Sequence, residues 1–154
     1  MRRQFELVTQ WRLPAPLPAV WEKIERAEDW PRWWPSVRKV ELLAPGDAEG
    51  IGAVRRLHWR TALPYDLCFD VEVTRVDPLA LIEARAFGEL EGNGTWTLAE
   101  AGGVTTATYD WRVDVGKPWM RALAPLLRPV FAWNHGVVMR RGEAGLTRLL
   151  ADGL

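Results

Sequence analysis

The stretch PWMRALAPLLRPVFAWNHGVVMRRGEAGLTRLL, residues 118–150, decides the fold of this chain. It predicts one long helix, bent at Pro125 and Pro129, that would span roughly 50 Å if it were straight at about 1.5 Å per residue. At about 100° per residue, one stripe of this helix collects six apolar side chains: Leu123, Leu126, Leu127, Val130, Val137 and Val138. The stripe predicts a helix that lies across a hydrophobic surface.

Asn134 lies near the middle of this apolar stripe. A buried amide requires hydrogen-bond partners or water, so we expect the stripe to face a partly wet cavity rather than a dry core. Two interpretations are open. The amide either fixes a carbonyl or hydroxyl group of a ligand, or it bonds a backbone group or a buried water. Under the first interpretation, a leucine at position 134 alters ligand preference more than it alters stability.

The composition indicates a single domain over residues 1–154, long enough to bury a sizeable core. Because the 20 basic and 20 acidic residues cancel, nothing electrostatic favours nucleic acid or an anionic membrane as the main partner. A single cysteine, Cys68, and an N-terminal stretch that alternates instead of forming a signal-peptide block favour a cytoplasmic protein. No run approaches the roughly 18 apolar residues of a membrane span, so we expect no integral membrane segment.

The period of the apolar residues separates helices from strands in the rest of the chain. Residues 4–12 alternate and predict a first strand. Helical spacing over residues 17–27 predicts a short amphipathic helix, and a second short helix follows before Pro35. From Val37 onward the period is two, which predicts six more strands near residues 37–43, 52–60, 65–76, 80–87, 89–99 and 104–114. The short breaks between these strands indicate an antiparallel meander.

The predicted strands have one apolar and one solvated face. In the fourth strand the apolar face consists of Tyr65, Leu67, Phe69, Val71 and Val73. In the last strand it consists of Ala107, Tyr109, Trp111 and Val113. Gly92 and Gly94 share the apolar face of the strand between, where we expect the sheet to bend. Gly142 and Gly145 lie towards the inward side of the long helix and are expected to let it approach the sheet closely.

Five segments of the chain resemble proteins of the START-like superfamily. They are Val20-Trp21-Glu22, Trp30-Pro31-Arg32-Trp33-Trp34-Pro35, Gly94-Thr95-Trp96-Thr97-Leu98, Thr108-Tyr109-Asp110-Trp111 and Pro129-Val130-Phe131-Ala132-Trp133-Asn134-His135. The resemblance is closest to the bacterial group described as polyketide cyclase/dehydrase-like or SRPBCC proteins. It implies an α+β helix-grip fold, in which a curved seven-stranded antiparallel sheet wraps around the long C-terminal helix and encloses a hydrophobic cavity. Two short helices follow the first strand. Related families bind lipids, sterols, polyketides or quinones, and a few members catalyse ring closure.

The candidate ligand-binding residues are the aromatic and polar groups that the predicted elements turn inward. Trp33 and Trp34 either close one end of the cavity as a gate or seal the core beneath a loop. The other expected lining residues are Tyr65, Phe69, Trp96, Tyr109, Trp111, Val130 and Asn134. A phenol such as that of Tyr109 either orients a ligand, donates a proton in a cyclase, or belongs to an ordinary core. With ten tryptophans in the chain, the indoles either line a pocket or fill the interior.

The sequence offers no residue set for metal binding, a cofactor or nucleophilic catalysis. The two histidines, His58 and His135, lie far apart, and one cysteine supplies no paired-ligand spacing. The only serine, Ser36, lacks the elbow motif of a serine hydrolase. We therefore name no catalytic residue and expect neither a metal nor a cofactor. Three arginines of the third strand either face the cavity mouth or are solvated, namely Arg55, Arg56 and Arg60.

The sequence predicts a protein that sequesters or transports a small hydrophobic molecule, such as a lipid, polyketide, quinone or aromatic compound, in an internal cavity. One alternative is an enzyme of the polyketide cyclase or aromatase type, although no inward acid–base pair is evident. Another is a protein-interaction module whose cavity is filled by tryptophan. We expect a monomer or a homodimer, with no nucleic-acid partner.

Overall fold

The computed structural model describes residues 5–64, 66–116 and 118–152. In these residues seven strands form one sheet: β1 (Phe5–Leu13), β2 (Val37–Ala44), β3 (Val54–Arg60), β4 (Asp66–Asp77), β5 (Leu81–Gly88), β6 (Leu90–Ala101) and β7 (Val104–Val115). Their order in the sheet is β1-β7-β6-β5-β4-β3-β2, and every neighbouring pair is antiparallel. Six strands therefore form a meander, and β1 joins its far edge beside β7.

Three helices complete the described chain. α1 (Leu17–Glu25) and a 3-10 helix (Ala27–Arg32) connect β1 at one edge of the sheet to β2 at the other. α2 (Pro118–Ala151) runs for 34 residues through both internal prolines. No helix in the described part of the chain is both long and apolar enough to cross a bilayer. The element order confirms the predicted α+β helix-grip architecture, and the predicted strand limits agree with the structure to within about two residues.

Gly92 of β6 lies close against the backbone of β7. It pairs with Val113, and a Cβ atom at position 92 would lie only 2.7 Å from the Val113 Cα atom. Burial alternates along β6 from Leu90 to Leu98, so the β6 glycines face the interior on the same side as Trp96. Because glycine has no side chain, the two backbones approach closely at the position where the sequence predicts a bend.

The C-terminal half of α2 is pressed onto three tryptophans, which we call the tryptophan clamp (Trp11, Trp33 and Trp34). Their ring centroids lie 5.1 to 6.1 Å apart. A Cβ atom at Gly142 would lie 2.5 Å from the Trp34 ring and 2.7 Å from the Trp11 ring. At Gly145, a Cβ atom would collide with the Trp33 carbonyl oxygen. The two glycines therefore allow the close approach of helix and sheet that their positions predicted.

The predicted apolar stripe of α2 is wrong for the N-terminal half of the helix. Leu123, Leu126 and Val130 are 44%, 75% and 41% exposed instead of packed on the sheet. The buried residues of α2 form a different line: Ala124, Asn134, Val138, Met139, Gly142, Leu146 and Leu150. The prediction failed because apolar residues occupy more than one side of residues 118–138, so their periodicity does not identify the side that packs. The packed line includes two small residues, Ala124 and Gly142, that a search for large apolar side chains passes over.

We expect Gly145→Ala to lower the free energy of unfolding by about 2 kcal/mol, because the added methyl group overlaps a backbone carbonyl rather than a flexible side chain. The matched control is Gly136→Ala in the same helix, where the nearest atom to a Cβ is an Arg140 guanidinium nitrogen at 3.2 Å. There, alanine should raise the free energy of unfolding by about 0.5–1 kcal/mol through its helix propensity. Urea unfolding measures both values, and an equal effect of the two substitutions would contradict the clamp.

Candidate ligand-binding site

A cavity of about 430 Å³ lies between the inner face of the sheet and α2. This volume falls in the range of roughly 300–1,000 Å³ that is usual for ligand sites, so the tryptophans do not fill the interior completely. The wall contributed by α2 consists of Met120, Phe131, Asn134, His135, Val138 and Met139. Most other lining side chains are aliphatic or aromatic, which makes this an apolar cavity with few polar groups.

The structure brings six of the nine predicted site residues to the cavity lining. They are Trp34, Phe69, Trp96, Tyr109, Trp111 and Asn134. Val130 lies outside the cavity, on the exposed side of α2, because the packed line of the helix is not the predicted stripe. Trp33 is buried but is not part of the lining. Tyr65 lies outside the described residues.

Contacting rings form a continuous aromatic wall, made of Trp34, Trp59, Phe69, Trp96, Tyr109 and Trp111. The centroid of the Tyr109 ring lies 4.5 Å from that of Trp96 and 5.7 Å from that of Trp111. The Phe69 centroid lies 5.5 Å from that of Trp111 and 6.3 Å from that of Trp59. Trp59 in turn meets Trp34 at 5.1 Å. Because neighbouring rings hold one another in place, the wall is formed without a ligand. The sequence prediction had omitted Trp59.

Trp33 and Trp34 are packed as parts of the clamp. The Trp34 Nε1–H group donates a hydrogen bond to the Val138 carbonyl oxygen at 2.9 Å. The two indoles stack with an angle of 17° between their planes. Rotation of either ring away from the cavity would break this packing against α2. The geometry therefore favours the interpretation in which these residues seal the core, rather than the gate.

Tyr109 presents a neutral phenol to the cavity. Its hydroxyl group lies over Gly94, where any Cβ atom would meet it. Gly94 is thus the residue that lets the tyrosine ring lie flat against the sheet. Burial raises the pKa of Tyr109 far above its ordinary value, because the phenolate would lose its hydration. The hydroxyl is therefore a hydrogen-bonding group at physiological pH.

The Asn134 side chain is already engaged with the backbone. Its Oδ1 atom accepts a hydrogen bond from the Ala62 N–H group at 2.8 Å. The bond ties α2 to the connection between β3 and β4. The backbone partner that the sequence left open as an alternative is therefore present, and Asn134 lines the cavity while serving as a structural tie.

Two polar atoms of the lining lack a hydrogen-bond partner among the described residues. They are Nε2 of His135 and Nε1 of Trp59, and both are buried. Burial lowers the pKa of His135 to about 4, so its imidazole is neutral at physiological pH. His135 directly follows Asn134 in the chain, and this position was the signal in the sequence that could have identified it as a lining residue.

One end of the cavity carries charged side chains. Arg55 reaches the lining and is paired with Glu28 of the 3-10 helix. Glu25 and Glu49 also contribute to this end. The neighbouring Arg56 is instead held by both carboxylate oxygens of Asp70, at 2.9 and 3.1 Å. The one arginine of the described lining is paired, and the other two charged lining groups are carboxylates, so the cavity does not suit an acidic head group.

The remaining reactive side chains have no activating neighbours. No three histidine, cysteine, aspartate or glutamate residues in the described ranges are placed to hold a metal ion. Burial raises the pKa of the Cys68 thiol, and the Glu89 carboxylate raises it further. Ser36 Oγ is buried without a partner within the described structure, so no imidazole activates it.

The sheet, the clamped helix and the apolar cavity define a protein of the helix-grip class. The protein TTHA0849 from Thermus thermophilus has the same fold, with a TM-score of 0.77, 19% identity and coverage of 97% of this chain and 100% of that one. A START superfamily protein from Mycobacterium smegmatis superposes with a TM-score of 0.78 at 14% identity, covering 96% and 97% of the two chains. The Zhui aromatase/cyclase from Streptomyces sp. R1128 gives 0.70 at 18% identity, covering 94% and 93%.

The chain belongs to the polyketide cyclase / dehydrase and lipid transport family, whose model matches residues 4–151. The predicted membership of the START-like superfamily is thereby confirmed. A comparison with curated proteins finds no sequence match. At 14–19% identity, the similarities to solved structures establish the fold and not an activity.

We expect Asn134→Leu to lower the free energy of unfolding by about 1–3 kcal/mol, because the half-buried Ala62 N–H group loses its acceptor. The matched control is Asn93→Leu, which changes the other asparagine of the chain on the exposed face of β6. That substitution should change the free energy by less than about 0.5 kcal/mol. Urea unfolding distinguishes the two, and an unchanged midpoint for Asn134→Leu would contradict the tie.

Stability should fall by about 2 kcal/mol between pH 7 and pH 5 through His135. In the folded protein its pKa is about 4, whereas an unfolded histidine titrates near 6.5. Between these values the unfolded chain binds the proton, so stability is fully present above about pH 6.5 and is lost as the pH falls towards 4. Unfolding of His135→Gln at both pH values should show a weaker dependence. An unchanged pH dependence in His135→Gln would contradict the assignment to His135.

Proposed function

We propose that this protein binds a small hydrophobic molecule in its internal cavity and sequesters or transports it. The observation that carries the proposal is the 430 Å³ apolar space beside a wall of mutually contacting aromatic rings. Protein interiors normally pack without such space, because atoms that line a void lose dispersion contacts. An apolar occupant would restore those contacts.

The lining favours a flat or flexible apolar molecule with one or two hydrogen-bonding atoms, such as a lipid, polyketide, quinone or other aromatic compound. Affinity would come mainly from buried apolar area, at about 25 cal/mol per Å² before entropy losses. The unpartnered nitrogen atoms of His135 and Trp59 are the groups that would set the orientation of a ligand hydroxyl or carbonyl. The carboxylates beside Arg55 disfavour a ligand with an anionic end.

A polyketide aromatase or cyclase is the second candidate, because the family description includes cyclases and the Zhui aromatase/cyclase shares the fold. Proton transfer in such a reaction is fastest when the shuttle has a pKa near the working pH. Tyr109 and His135 are the two candidates in the cavity. Burial raises the pKa of Tyr109 and lowers the pKa of His135, so both values move away from neutral pH. Both are neutral and weak in acid–base chemistry, which favours binding over catalysis.

A protein-interaction module with a tryptophan-filled cavity is the third possibility. It requires that no ligand-sized space remain, and the volume of about 430 Å³ speaks against it. Many of the indole rings pack in the tryptophan clamp or form the aromatic wall. They therefore border the cavity instead of filling it.

We expect Ala84→Phe to lower ligand affinity at least tenfold, because its ring would occupy the space of a ligand. Ala84 lines the cavity and pairs with Gly94 of β6, over which the Tyr109 hydroxyl lies. The probe is the neutral apolar fluorophore N-phenyl-1-naphthylamine, measured by fluorescence titration. The matched control is Ala99→Phe on the exposed face of β6, which should bind the probe as the wild type does.

Two further results would decide the matter. Native mass spectrometry of freshly purified protein should reveal a co-purifying hydrophobic molecule. If the wild type neither carries such a molecule nor binds the fluorophore, the carrier proposal fails. Turnover of a polyketone surrogate that disappears in Tyr109→Phe would replace it by the cyclase alternative.

A further inference from the structure

The outward side of the N-terminal half of α2 is almost entirely apolar. Between residues 118 and 133, eleven residues are exposed and only two of them, Arg121 and Arg128, are charged. The five large exposed hydrophobic residues form what we call the apolar seam: Trp119, Leu123, Leu126, Val130 and Trp133. Their spacing of four, three, four and three residues places them on one line along a helix.

The seam is too continuous to be ordinary surface variation. Leu126 at its centre is 75% exposed, and the indoles at its two ends, Trp119 and Trp133, are 58% and 55% exposed. Single exposed hydrophobic residues are common on proteins, whereas a contiguous row that contains two indoles marks an interaction surface. The same helical turns contribute Met120 and Phe131 to the cavity wall on their other side. This segment is therefore apolar towards the interior and towards solvent.

The charge around the seam has one sign. The whole chain is neutral, but no aspartate or glutamate occurs between Asp114 and Glu143. Four exposed arginines fall in this interval: Arg121, Arg128, Arg140 and Arg141. At about 100° per residue, Arg121 and Arg128 lie on the opposite side of the helix from the seam, whereas Arg140 and Arg141 continue the side of the seam beyond Trp133. The Arg140 guanidinium lies back along the helix beside Gly136, close to the end of the seam.

A second copy of this chain is the competing occupant, and the charge of this segment disfavours it. Symmetric pairing would bring arginines together in a segment that has no carboxylates to neutralise them. Lipid acyl chains impose no register, and tryptophan is favoured where an apolar layer meets water.

We propose that the apolar seam is a docking surface for an anionic lipid bilayer. Residues 118–133 would lie in the plane of the bilayer surface, with the seam buried about 5–10 Å into the boundary between head groups and acyl chains. The arginines would contact anionic head groups. The neutral net charge of the whole chain conceals this local concentration of positive charge. The proposal concerns the outer surface of α2 and does not depend on what the cavity holds.

Vesicle flotation with the full-length protein tests the proposal. Wild-type protein should float with vesicles that mix phosphatidylcholine and phosphatidylglycerol, and should float much less with phosphatidylcholine alone. Leu126→Glu should lower partitioning onto the mixed vesicles at least tenfold, because a carboxylate replaces the most exposed apolar group. Replacing Arg140 and Arg141 by glutamine should lower it on the order of fivefold for each arginine, and added salt should narrow that difference.

Matched controls separate docking from misfolding and from ligand binding. Val8→Glu replaces a hydrophobic residue that is 64% exposed on β1, and it should float as the wild type does. Leu126→Glu should retain the wild-type melting temperature and N-phenyl-1-naphthylamine affinity, because Leu126 lies outside the cavity. Failure of docking is thereby distinguishable from failure of the carrier proposal.

Three results would overturn the proposal. One is the absence of flotation with either vesicle type. Another is equal flotation of wild type and Leu126→Glu, which would place the contact elsewhere. The third is a dimer in light scattering that Leu126→Glu dissociates, without vesicle binding, which would assign the seam to a second copy.

Discussion

The hydrogen bond from the Trp34 indole to the Val138 carbonyl oxygen is the contact on which the rest of the structure depends. An indole reaches the backbone of a helix only where no side chain stands between them. Gly142, one turn beyond Val138, provides that opening, since a Cβ atom there would overlap the Trp34 ring. The bond joins residues 104 positions apart and fixes the last helix against the segment that leads into β2. Gly145 repeats the same close approach one turn further on, against the Trp33 backbone.

This contact belongs to the closely packed part of α2. Apart from Ala124, the buried residues of α2 begin at Asn134 and continue to its C-terminal end. That part is held against the clamp, whereas in residues 118–133 only Met120 and Phe131 reach the cavity wall. The Phe131 ring also meets the ring of Phe5 on β1, with 5.4 Å between their centroids. Asn134 stands at the boundary between the two parts, and its bond to Ala62 joins the helix to the loop after β3. The cavity is thus bounded by a helix that is fixed at its C-terminal end and tied to a loop near its middle.

The parts of the structure that were predictable from sequence are those governed by local spacing. Alternation over the strands and glycines at defined positions specify the sheet, the close passage of β6 and β7 at Gly92, and the approach at Gly142 and Gly145. The packed side of α2 was not predictable in this way, because apolar residues surround its N-terminal half and the packed side includes an alanine. The partner of Asn134 was equally hidden, since Ala62 is 72 residues away and contributes only its backbone. Shape complementarity between distant segments decides such contacts, and composition does not encode it.

The absence of one clear apolar stripe in α2 follows from the surroundings of the helix. A helix that separates a core from water has one apolar side, and its hydrophobic periodicity identifies that side. Residues 118–133 instead face an apolar cavity through Met120 and Phe131 and present Leu126 on the opposite, outward side. In water alone, the outward-facing apolar residues stay hydrated. Each Å² of apolar area that is left unburied in this way forgoes about 25 cal/mol of stabilisation. Pro125 further weakens the segment, because it removes a backbone hydrogen bond without improving the packing of either side. Two apolar sides and a proline in the same helical turns do not favour stability in water. They do fit a segment that contacts an apolar surface on each side, the cavity within and a second apolar phase outside.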